Sequence, residues 1–430
     1  MQEISLETSF FINNRKKLAA SMENGAALIL SANILMQKSA DQFFPFRQES
    51  NFFYLTGICS EDIVFCFFPE HPDKHKREII LLPQQDERSL IYEGEKLNPT
   101  KVEKISGIQQ TEKVDKLTAI LQDYAKHCSC LYLLFDDKEE SKHFIHPNQL
   151  LYQRLTKDKS FQEIKNAKDI IHPLRYVKTP EEIQQIKKAI AITANSFDKI
   201  LRLDKNNRFE YEIEALIDYE FIRNGAQGAA FQSIVASGEN ACVLHYTQNA
   251  KKMEAGDLVL LDYGADYNYY AADLSRSIPV NGKFSKRQKE IYSEVLSIQK
   301  KAIDFLEYGK SINDINKYVA GLMEESLVKL SLLSVNEIKK QNSEKPAYKK
   351  YYPHGTSHFL GIDVHDVGSR EIPLQEGMII TVEPGIYIPE EKIGIRIEND
   401  ILISNPAIDL TASIPREIEE LEEIMLSNKK

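Results

Sequence analysis

The sequence predicts an α/β domain followed by an α+β domain, in which helices cover a strongly curved antiparallel sheet. With 430 residues, the chain is longer than one hydrophobic core usually supports. Its first part alternates short apolar runs with helical stretches, and its second part places long amphipathic helices before a cluster of strands. The predicted domains are residues 1–172 and 173–430, with the boundary at His172-Pro173.

Short apolar runs between polar or proline-containing segments are the predicted strands of the first domain. Helices are expected between them, at Lys16–Met22 and Lys113–Ala125. The segment Phe46–Gly57 is rich in aromatic residues, and we interpret it as the edge of a core strand. The predicted strands are Ala26–Leu30, Asp62–Phe68, Glu78–Leu82 and Leu131–Phe135.

A clear helix start opens the second domain. Thr179 is the predicted N-cap, Pro180 takes the first helical position, and Glu182 completes a capping box. A second helix is expected at Glu210–Arg223, before Asn224-Gly225. Further helices are predicted at Ser285–Leu306 and Ser311–Leu330, and strands at Met378–Val382, Ile386–Ile388 and Ile395–Ile403.

Composition argues against several classes of partner. The formal net charge of −10 disfavours nucleic acid or an anionic membrane as the main partner. No apolar run is long enough to span a bilayer, and the first residues lack the features of a secretory signal. The five cysteines are odd in number and scattered, which is typical of reduced thiols in the cytoplasm.

The stretch Leu258–Val280 carries the first candidate site residues. Its two apolar runs flank a polar turn, and each run contains one aspartate, Asp262 and Asp273. A hairpin would bring the two carboxylates together, where they repel unless a cation lies between them. Taken alone, the pair is better interpreted as two surface aspartates. Residues further along the chain reverse that preference.

Three more candidate ligands follow, in His354–His358, Thr381–Gly385 and Gly394–Asp400. A zinc-protease helix is excluded at His354–His358, because no glutamate follows the first histidine. One histidine among four carboxylates is an oxygen-rich set that suits manganese, with cobalt or zinc as alternatives. Two divalent ions would neutralise about four negative charges and activate water at neutral pH. The candidate ligands are Asp262, Asp273, Glu383, Glu398 and one of the histidines His354, His358 and His365.

These residues and their surrounding motifs resemble aminopeptidase P, the Xaa-Pro aminopeptidase family of the "pita-bread" dimetal peptidases. The family's five ligands are matched, in order and local context, by Asp262, Asp273, His358, Glu383 and Glu398. The likeness covers nearly the whole chain. It implies a creatinase-like N-terminal domain and a pita-bread catalytic domain. The motifs are FRQ-x-S-x-F-x-YLTG at Phe46–Gly57, HYT at His245–Thr247, HGTSHFLGIDVHDVG at His354–Gly368, TVEPGIY at Thr381–Tyr387 and GIRIEND at Gly394–Asp400.

The resemblance also implies roles for the ligands. Asp262 would hold one metal ion in bidentate fashion, and Asp273 and Glu398 would bridge two ions, most simply Mn²⁺. His358 and Glu383 would complete the second position. Glu383 would also take the proton from the attacking water.

Further residues would contact the substrate. His245 and His365 would bind the scissile region and stabilise the oxyanion. Tyr387 and Arg396 would line the substrate side. For His354, a hydrogen bond that supports the site and a direct substrate contact are equally good interpretations.

The chain departs from the family pattern at two places. It contains no tryptophan, whereas similar proteins carry one in a Trp-x-Gly segment that closes over the substrate. The corresponding segment here is Tyr92-Glu93-Gly94, so Tyr92 is the candidate substitute. Phe231 stands where similar proteins have tyrosine, which removes one hydroxyl group from the pocket.

The resemblance implies release of the N-terminal residue from peptides whose second residue is proline. The alternative within this class is prolidase, which accepts only Xaa-Pro dipeptides. Metal-free binding modules and a creatine hydrolase have related folds but lack the full ligand set. Relatives are commonly dimers or tetramers, so a homo-oligomer is expected.

Overall fold

The computed structural model describes residues 6–85, 90–92, 94–136, 146–342 and 344–427. The chain divides into two compact units, with unit 1 extending to Leu174 and unit 2 beginning at Arg175. This division lies inside a helix, Lys168–Tyr176, which contains Pro173. Proline lacks the N–H that would bond one turn back. It nevertheless does not end this helix.

Unit 1 is built on a mixed sheet. Its strands are β1 (Ala27–Ser31), β2 (Gln37–Ser39), β3 (Gln42–Phe43), β4 (Val64–Phe67), β5 (Glu78–Leu82), β6 (Gln110–Lys113), β7 (Leu131–Leu133) and β8 (Ile164–Asn166). The described part contains a six-stranded sheet in the order β6-β5-β4-β1-β7-β8, and β2 and β3 form a separate hairpin. Strand β1 runs antiparallel to β4 and parallel to β7. All four predicted strands correspond to observed ones, which agrees with the α/β class.

One prediction in unit 1 is wrong. The segment Phe46–Gly57 is not the edge of a strand, because Ser50–Thr56 forms a buried helix. Glu49 caps this helix by accepting the N–H of Phe52, and Gly57 ends it with φ +69°. The other helices of this part of the chain are Thr8–Ser21, Pro99–Ser106, Leu117–His127 and Pro147–Asp158, followed by Lys168–Tyr176 at the division between the units.

Capped helices shape unit 2. The predicted capping box is present, since Thr179 accepts the N–H of Glu182 and the Glu182 carboxylate accepts the N–H of Thr179. The helices are Pro180–Arg202, Glu210–Arg223, Lys286–Asp304, Ile312–Lys329, Val335–Lys340 and Ile418–Ser427. Among the described helices, none has both the length and the apolar character needed to cross a membrane.

The strands of unit 2 form small antiparallel sheets. They are β9 (Gly228–Ala229), β10 (Ile234–Ser237), β11 (Leu258–Tyr263), β12 (Ala265–Tyr267), β13 (Tyr270–Ala271), β14 (Leu274–Pro279), β15 (Ile379–Val382), β16 (Gly385–Ile388), β17 (Ile393–Arg396), β18 (Asn399–Leu402) and β19 (Ile408–Asp409). Strand β11 lies between β10 and β14, and β18 lies between β15 and β19. The class is therefore α+β, as predicted.

Two features of these sheets position polar side chains. Strands β11 and β14 form the predicted hairpin, with Asp262 opposite Ser275, so Asp273 returns close to Asp262. The predicted strand Ile395–Ile403 is interrupted at Ile397 and Glu398, because β17 pairs with β16 while β18 pairs with β15. Glu398 therefore lies where the chain passes from one sheet to the next.

Candidate metal centre

The structure brings all five candidate ligands to one cavity in unit 2. The cavity has a volume of about 630 Å³. Asp262 comes from β11, Asp273 precedes β14, and Glu383 follows β15. Glu398 comes from the interruption between β17 and β18, and His358 from the loop before β15. Two hairpins and one loop thus converge on a single acidic pocket.

His358 contacts two of the carboxylates. Its Nε2 lies 3.4 Å from Asp273 Oδ2 and 3.6 Å from Glu383 Oε1. Its Nδ1 lies 3.0 Å from the carbonyl oxygen of Phe359, so Nδ1 carries a proton and donates it. This contact leaves Nε2 directed at the carboxylates, as metal-binding histidines are usually held.

Burial makes the negative charge of this pocket costly. Burial raises the pKa of Asp273 to about 6 and the pKa of Glu383 to about 7. Burial, followed by the charge of Asp273, raises the pKa of Glu398 well above its usual range. Oδ1 of Asp273 is buried without a hydrogen-bond partner among the described residues. An oxygen-rich, buried and incompletely satisfied ligand set fits divalent cations, which favour the ionised carboxylates.

Sequence reasoning missed three side chains that support the ligands. Ser275 donates to Glu398 Oε2 at 2.6 Å, and Thr381 donates to Glu383 Oε1 at 3.4 Å. The Asp400 carboxylate accepts the backbone N–H of Asp273 at 3.1 Å. The signal was available. Each of the three lies two positions from a candidate ligand, on a strand or at its end, where alternate side chains share a face.

A chain of hydrogen bonds connects Asp262 to His354, and Asp262, Arg396 and His354 all line the cavity. Arg396 donates to Asp262 Oδ2 at 2.5 Å and to the Tyr387 hydroxyl at 2.9 Å. The hydroxyl lies 2.8 Å from His354 Nε2, and His354 Nδ1 donates to the Gly355 carbonyl at 2.7 Å. Burial, aided by the Arg396 charge, lowers the pKa of His354 to about 3, so this histidine accepts as a neutral ring.

The remaining predicted site residues occupy different surroundings. His245 and His365 line the cavity, as does Phe231. The ring of His365 lies 4.4 Å from that of His358 at an angle of 80°, and burial lowers the pKa of His365. Tyr92 belongs to unit 1 and is 77% exposed. The next residue of the predicted segment, Glu93, lies outside the described residues.

A buried ion cluster holds the segment that carries His365. The Asp366 carboxylate lies 2.6 Å from Arg175 Nη2 and 2.9 Å from Lys178 Nζ. Burial alone would raise the pKa of Asp366, but the charges of Lys178 and Arg175 outweigh it and hold that pKa below its usual range. The backbone of His365 is therefore fixed by the residue that follows it.

Asp366→Asn is expected to lower the free energy of unfolding by about 3 kcal/mol, because two buried cations lose their shared anion. Thermal denaturation followed by circular dichroism measures this loss. Asp363→Asn is the matched control, because Asp363 lies 2.8 Å from the same Arg175 nitrogen but is partly exposed. That variant should change stability by about 1 kcal/mol or less. Equal effects of the two changes would contradict the importance of burial here.

The metal-free protein is expected to lose stability as pH rises from about 4 to about 8. The folded-state pKa values of Asp273 and Glu383, about 6 and about 7, exceed their ordinary values of 3.8 and 4.5. Their stabilising protons are therefore fully present at low pH and lost as pH passes those values. His358, raised to about 9 because Asp273 and Glu383 outweigh burial, acts in the same direction.

Melting temperatures of chelator-treated and Mn²⁺-treated protein at pH 5 and pH 8 measure this effect. Bound cations favour the ionised carboxylates, so the difference in melting temperature should be larger at pH 8. A difference that is the same at both pH values would show that these carboxylates do not bind the ions.

Comparison with known proteins gives consistent matches along the chain. Residues 184–405 match metallopeptidase family M24, and residues 11–132 match the family described as "Aminopeptidase P, N-terminal domain". The chain is 35% identical to the Xaa-Pro aminopeptidase of Haemophilus influenzae, with 96% of each chain covered. It is 34% identical to the Xaa-Pro aminopeptidase of Escherichia coli over 100% of both. The solved structure of Zn-substituted E. coli aminopeptidase P in complex with product superposes with a TM-score of 0.89 at 32% identity, covering 99% of each chain.

Proposed function

Because the chain belongs to metallopeptidase family M24, we infer that it is an Xaa-Pro aminopeptidase. It hydrolyses the bond between the first residue of a peptide and a proline in second position. The observation that carries this inference is the convergence of one histidine and four carboxylates on one cavity. The match of unit 1 to an aminopeptidase P N-terminal domain favours this activity over that of prolidase. Unit 2 has the pita-bread fold of the family.

The enzyme is a metallopeptidase, and we propose that it uses two divalent ions, preferably Mn²⁺. Two ions compensate the four carboxylates of the pocket, whereas one would leave about two negative charges. When bound, the ions lower the pKa of a water molecule so that it can attack a carbonyl group at neutral pH. The oxygen-rich ligand set favours manganese.

We assign the ligands as follows. Asp262 would hold one ion, Asp273 and Glu398 would serve both ions, and His358 with Glu383 would hold the second. Arg396, buried and 2.5 Å from Asp262, keeps that carboxylate oriented. Glu383 would also accept a proton from the attacking water and pass it to the leaving amine.

Two histidines act on the substrate carbonyl in this proposal. His245 and His365 line the cavity, and their N–H groups stabilise the oxyanion that forms during attack. Because its pKa is lowered, His365 donates as a neutral ring at working pH. His354, Tyr387 and Arg396 form the substrate side of the site in this proposal. The Tyr387 hydroxyl connects the other two residues by hydrogen bonds.

A panel of peptides assayed with added Mn²⁺ tests the function. Xaa-Pro-Yaa tripeptides should release their first residue, while Xaa-Ala-Yaa tripeptides should be cleaved far more slowly. Cleavage of Xaa-Pro dipeptides alone would instead identify a prolidase. No hydrolysis, together with no bound metal in elemental analysis, would favour a metal-free binding protein.

Tyr92→Ala is expected to raise KM for Xaa-Pro-Yaa peptides by an amount worth about 1–2 kcal/mol. We propose that Tyr92 supplies the aromatic cover for the proline ring, because it is exposed at 77% and stands in for the missing tryptophan. The metal content should not change. Leu90→Ala, an exposed apolar residue nearby in the sequence, is the control. Unaltered KM and kcat in Tyr92→Ala would exclude this role.

We further propose a cytoplasmic homo-oligomer, either a dimer or a tetramer. All five cysteines are free thiols, which supports a reducing compartment. Phe43 and Phe44 are each 51% exposed, and we propose that such aromatic side chains are buried in an interface between subunits. Light scattering coupled to size-exclusion chromatography measures the oligomeric state.

A further inference from the structure

A second group of metal-type ligands lies in unit 1, outside the catalytic cavity. It consists of His71, Asp123 and His127, whose ligand atoms all lie within 4.8 Å of one another. Asp123 and His127 belong to the helix Leu117–His127 and, being four positions apart, share one of its faces. His71 belongs to the loop between β4 and β5. Two imidazoles and one carboxylate are a ligand set that zinc commonly takes.

The distances within this group suit a tetrahedral ion. His71 Nε2 lies 3.2 Å from Asp123 Oδ2, and the two histidine rings have centroids 5.3 Å apart. Ligands about 2.0–2.2 Å from a tetrahedral zinc ion are separated by roughly 3.4 Å, and the ring centres of two such histidines by roughly 5 Å. His71 and Asp123 are therefore close to the spacing that zinc requires, whereas His127 must turn, because its Nδ1 lies 4.0 Å from Asp123 Oδ1 and 3.0 Å from the Asp123 carbonyl oxygen.

His71 is held ready for a ligand. It is 2% exposed, and its Nε2 makes no hydrogen bond of good geometry within the described residues. Its Nδ1 lies 3.1 Å from the carbonyl oxygen of Asp73 and 3.0 Å from the backbone nitrogen of the same residue, so it either donates to the carbonyl or accepts the N–H. Edge-to-face contact with Phe68, at 5.2 Å between centroids, fixes the ring. In the tautomer that donates Nδ1–H to the carbonyl, the buried Nε2 lone pair is directed at Asp123, and an ion would select that tautomer.

One neighbouring cation competes for the same carboxylate. Lys76 Nζ lies 2.8 Å from Asp123 Oδ2. The Lys76 side chain is 42% exposed, whereas that of His71 is 3% exposed. The lysine can therefore turn into solvent when an ion arrives, while His71 stays in place.

We propose that His71, Asp123 and His127 form a zinc site in unit 1, with Lys76 as its internal competitor. The fourth position is open to water, because the His127 side of the group faces solvent. The ion would link the β4–β5 loop to the end of the helix Leu117–His127. This site is independent of the catalytic ligands, all of which belong to unit 2.

Equilibrium dialysis of the full-length protein against ZnCl₂ tests the proposal. At saturation the unmodified protein should hold one more zinc ion per chain than either His71→Ala or His127→Ala. Lys76→Met should keep the full number of ions and bind the unit 1 ion at least about tenfold more tightly, because the competing charge is gone. His75→Ala is the matched control, because His75 precedes Lys76 in the sequence and does not belong to the group.

Two outcomes would overturn the site. Equal zinc content in the unmodified protein and in His127→Ala would show that these residues hold no ion. An unchanged zinc affinity in Lys76→Met would show that Asp123 is not a ligand. His127 lies at the exposed end of its helix, so His127→Ala should fold normally, and circular dichroism verifies this. His127→Ala should keep full peptidase activity, which separates this test from that of the proposed function.

Discussion

Asp273→Asn is expected to remove both metal ions together and to abolish peptide hydrolysis. A bridging carboxylate serves both ions, so its loss weakens both sites at once. Asp273 is 4% exposed and lies against His358, Asp400 and Glu398, so no nearby group can replace its oxygen atoms without moving. Elemental analysis after dialysis against limiting Mn²⁺, together with the hydrolysis rate, measures the effect.

Asp257→Asn is the matched control for this change. Asp257 lies at the start of the same hairpin, where it pairs with Lys251 at 3.3 Å and is partly exposed. This variant should retain two ions and normal activity. If Asp273→Asn instead retained one ion, Asp273 would serve a single position and the bridging assignment would be wrong.

His365→Ala is expected to lower kcat by about 10²-fold while both ions remain bound. The reason is the loss of one hydrogen-bond donor to the developing oxyanion. Single-turnover rates with an Xaa-Pro-Yaa peptide, measured beside metal content, distinguish chemistry from binding.

Metal content also decides between His365 and His358. The two rings lie 4.4 Å apart, so either could approach an ion. Only His358 has its Nε2 within 3.6 Å of both Asp273 and Glu383. Loss of metal from His365→Ala would make His365 a ligand and would require a new assignment for His358.

Local signals predicted much of the fold. The capping box of Thr179 and Glu182 is a short-range hydrogen-bond pattern that needs no knowledge of the rest of the chain. The hairpin of β11 and β14 followed from two apolar runs around a turn. Such features depend on a few adjacent residues, and the observed boundaries differ from the predicted ones mainly at the ends.

Features that depend on distant pairing could not be predicted in this way. The aromatic segment Phe46–Gly57 has a strand-like composition, yet a cap at Glu49 and packing against Phe11 favour a helix. The strand Ile395–Ile403 is interrupted because its two halves have different partners. The buried Asp366 cluster joins residues 188 and 191 positions apart, and no local pattern reveals it.

The candidate ligands were assembled from the sequence through the family resemblance, but the residues that support them were missed. Ser275, Thr381 and Asp400 are ordinary polar residues in strands or at their ends. Their importance arises only when β14, β15 and β18 meet around the cavity. Residues two positions from a ligand share its face of the strand, and examining these positions would have identified all three.

The hydrogen bond from Ser275 to Glu398 spans 123 positions of sequence, which has a consequence for biosynthesis. The hairpin that carries Asp262 and Asp273 leaves the ribosome long before Glu398 is made. Contacts this distant in sequence form late, because the intervening loop must first be closed. Tight metal capture is therefore expected only after the chain has been almost fully synthesised and folded. The incomplete chain is therefore not expected to bind metal ions tightly, and metal binding follows the completion of folding.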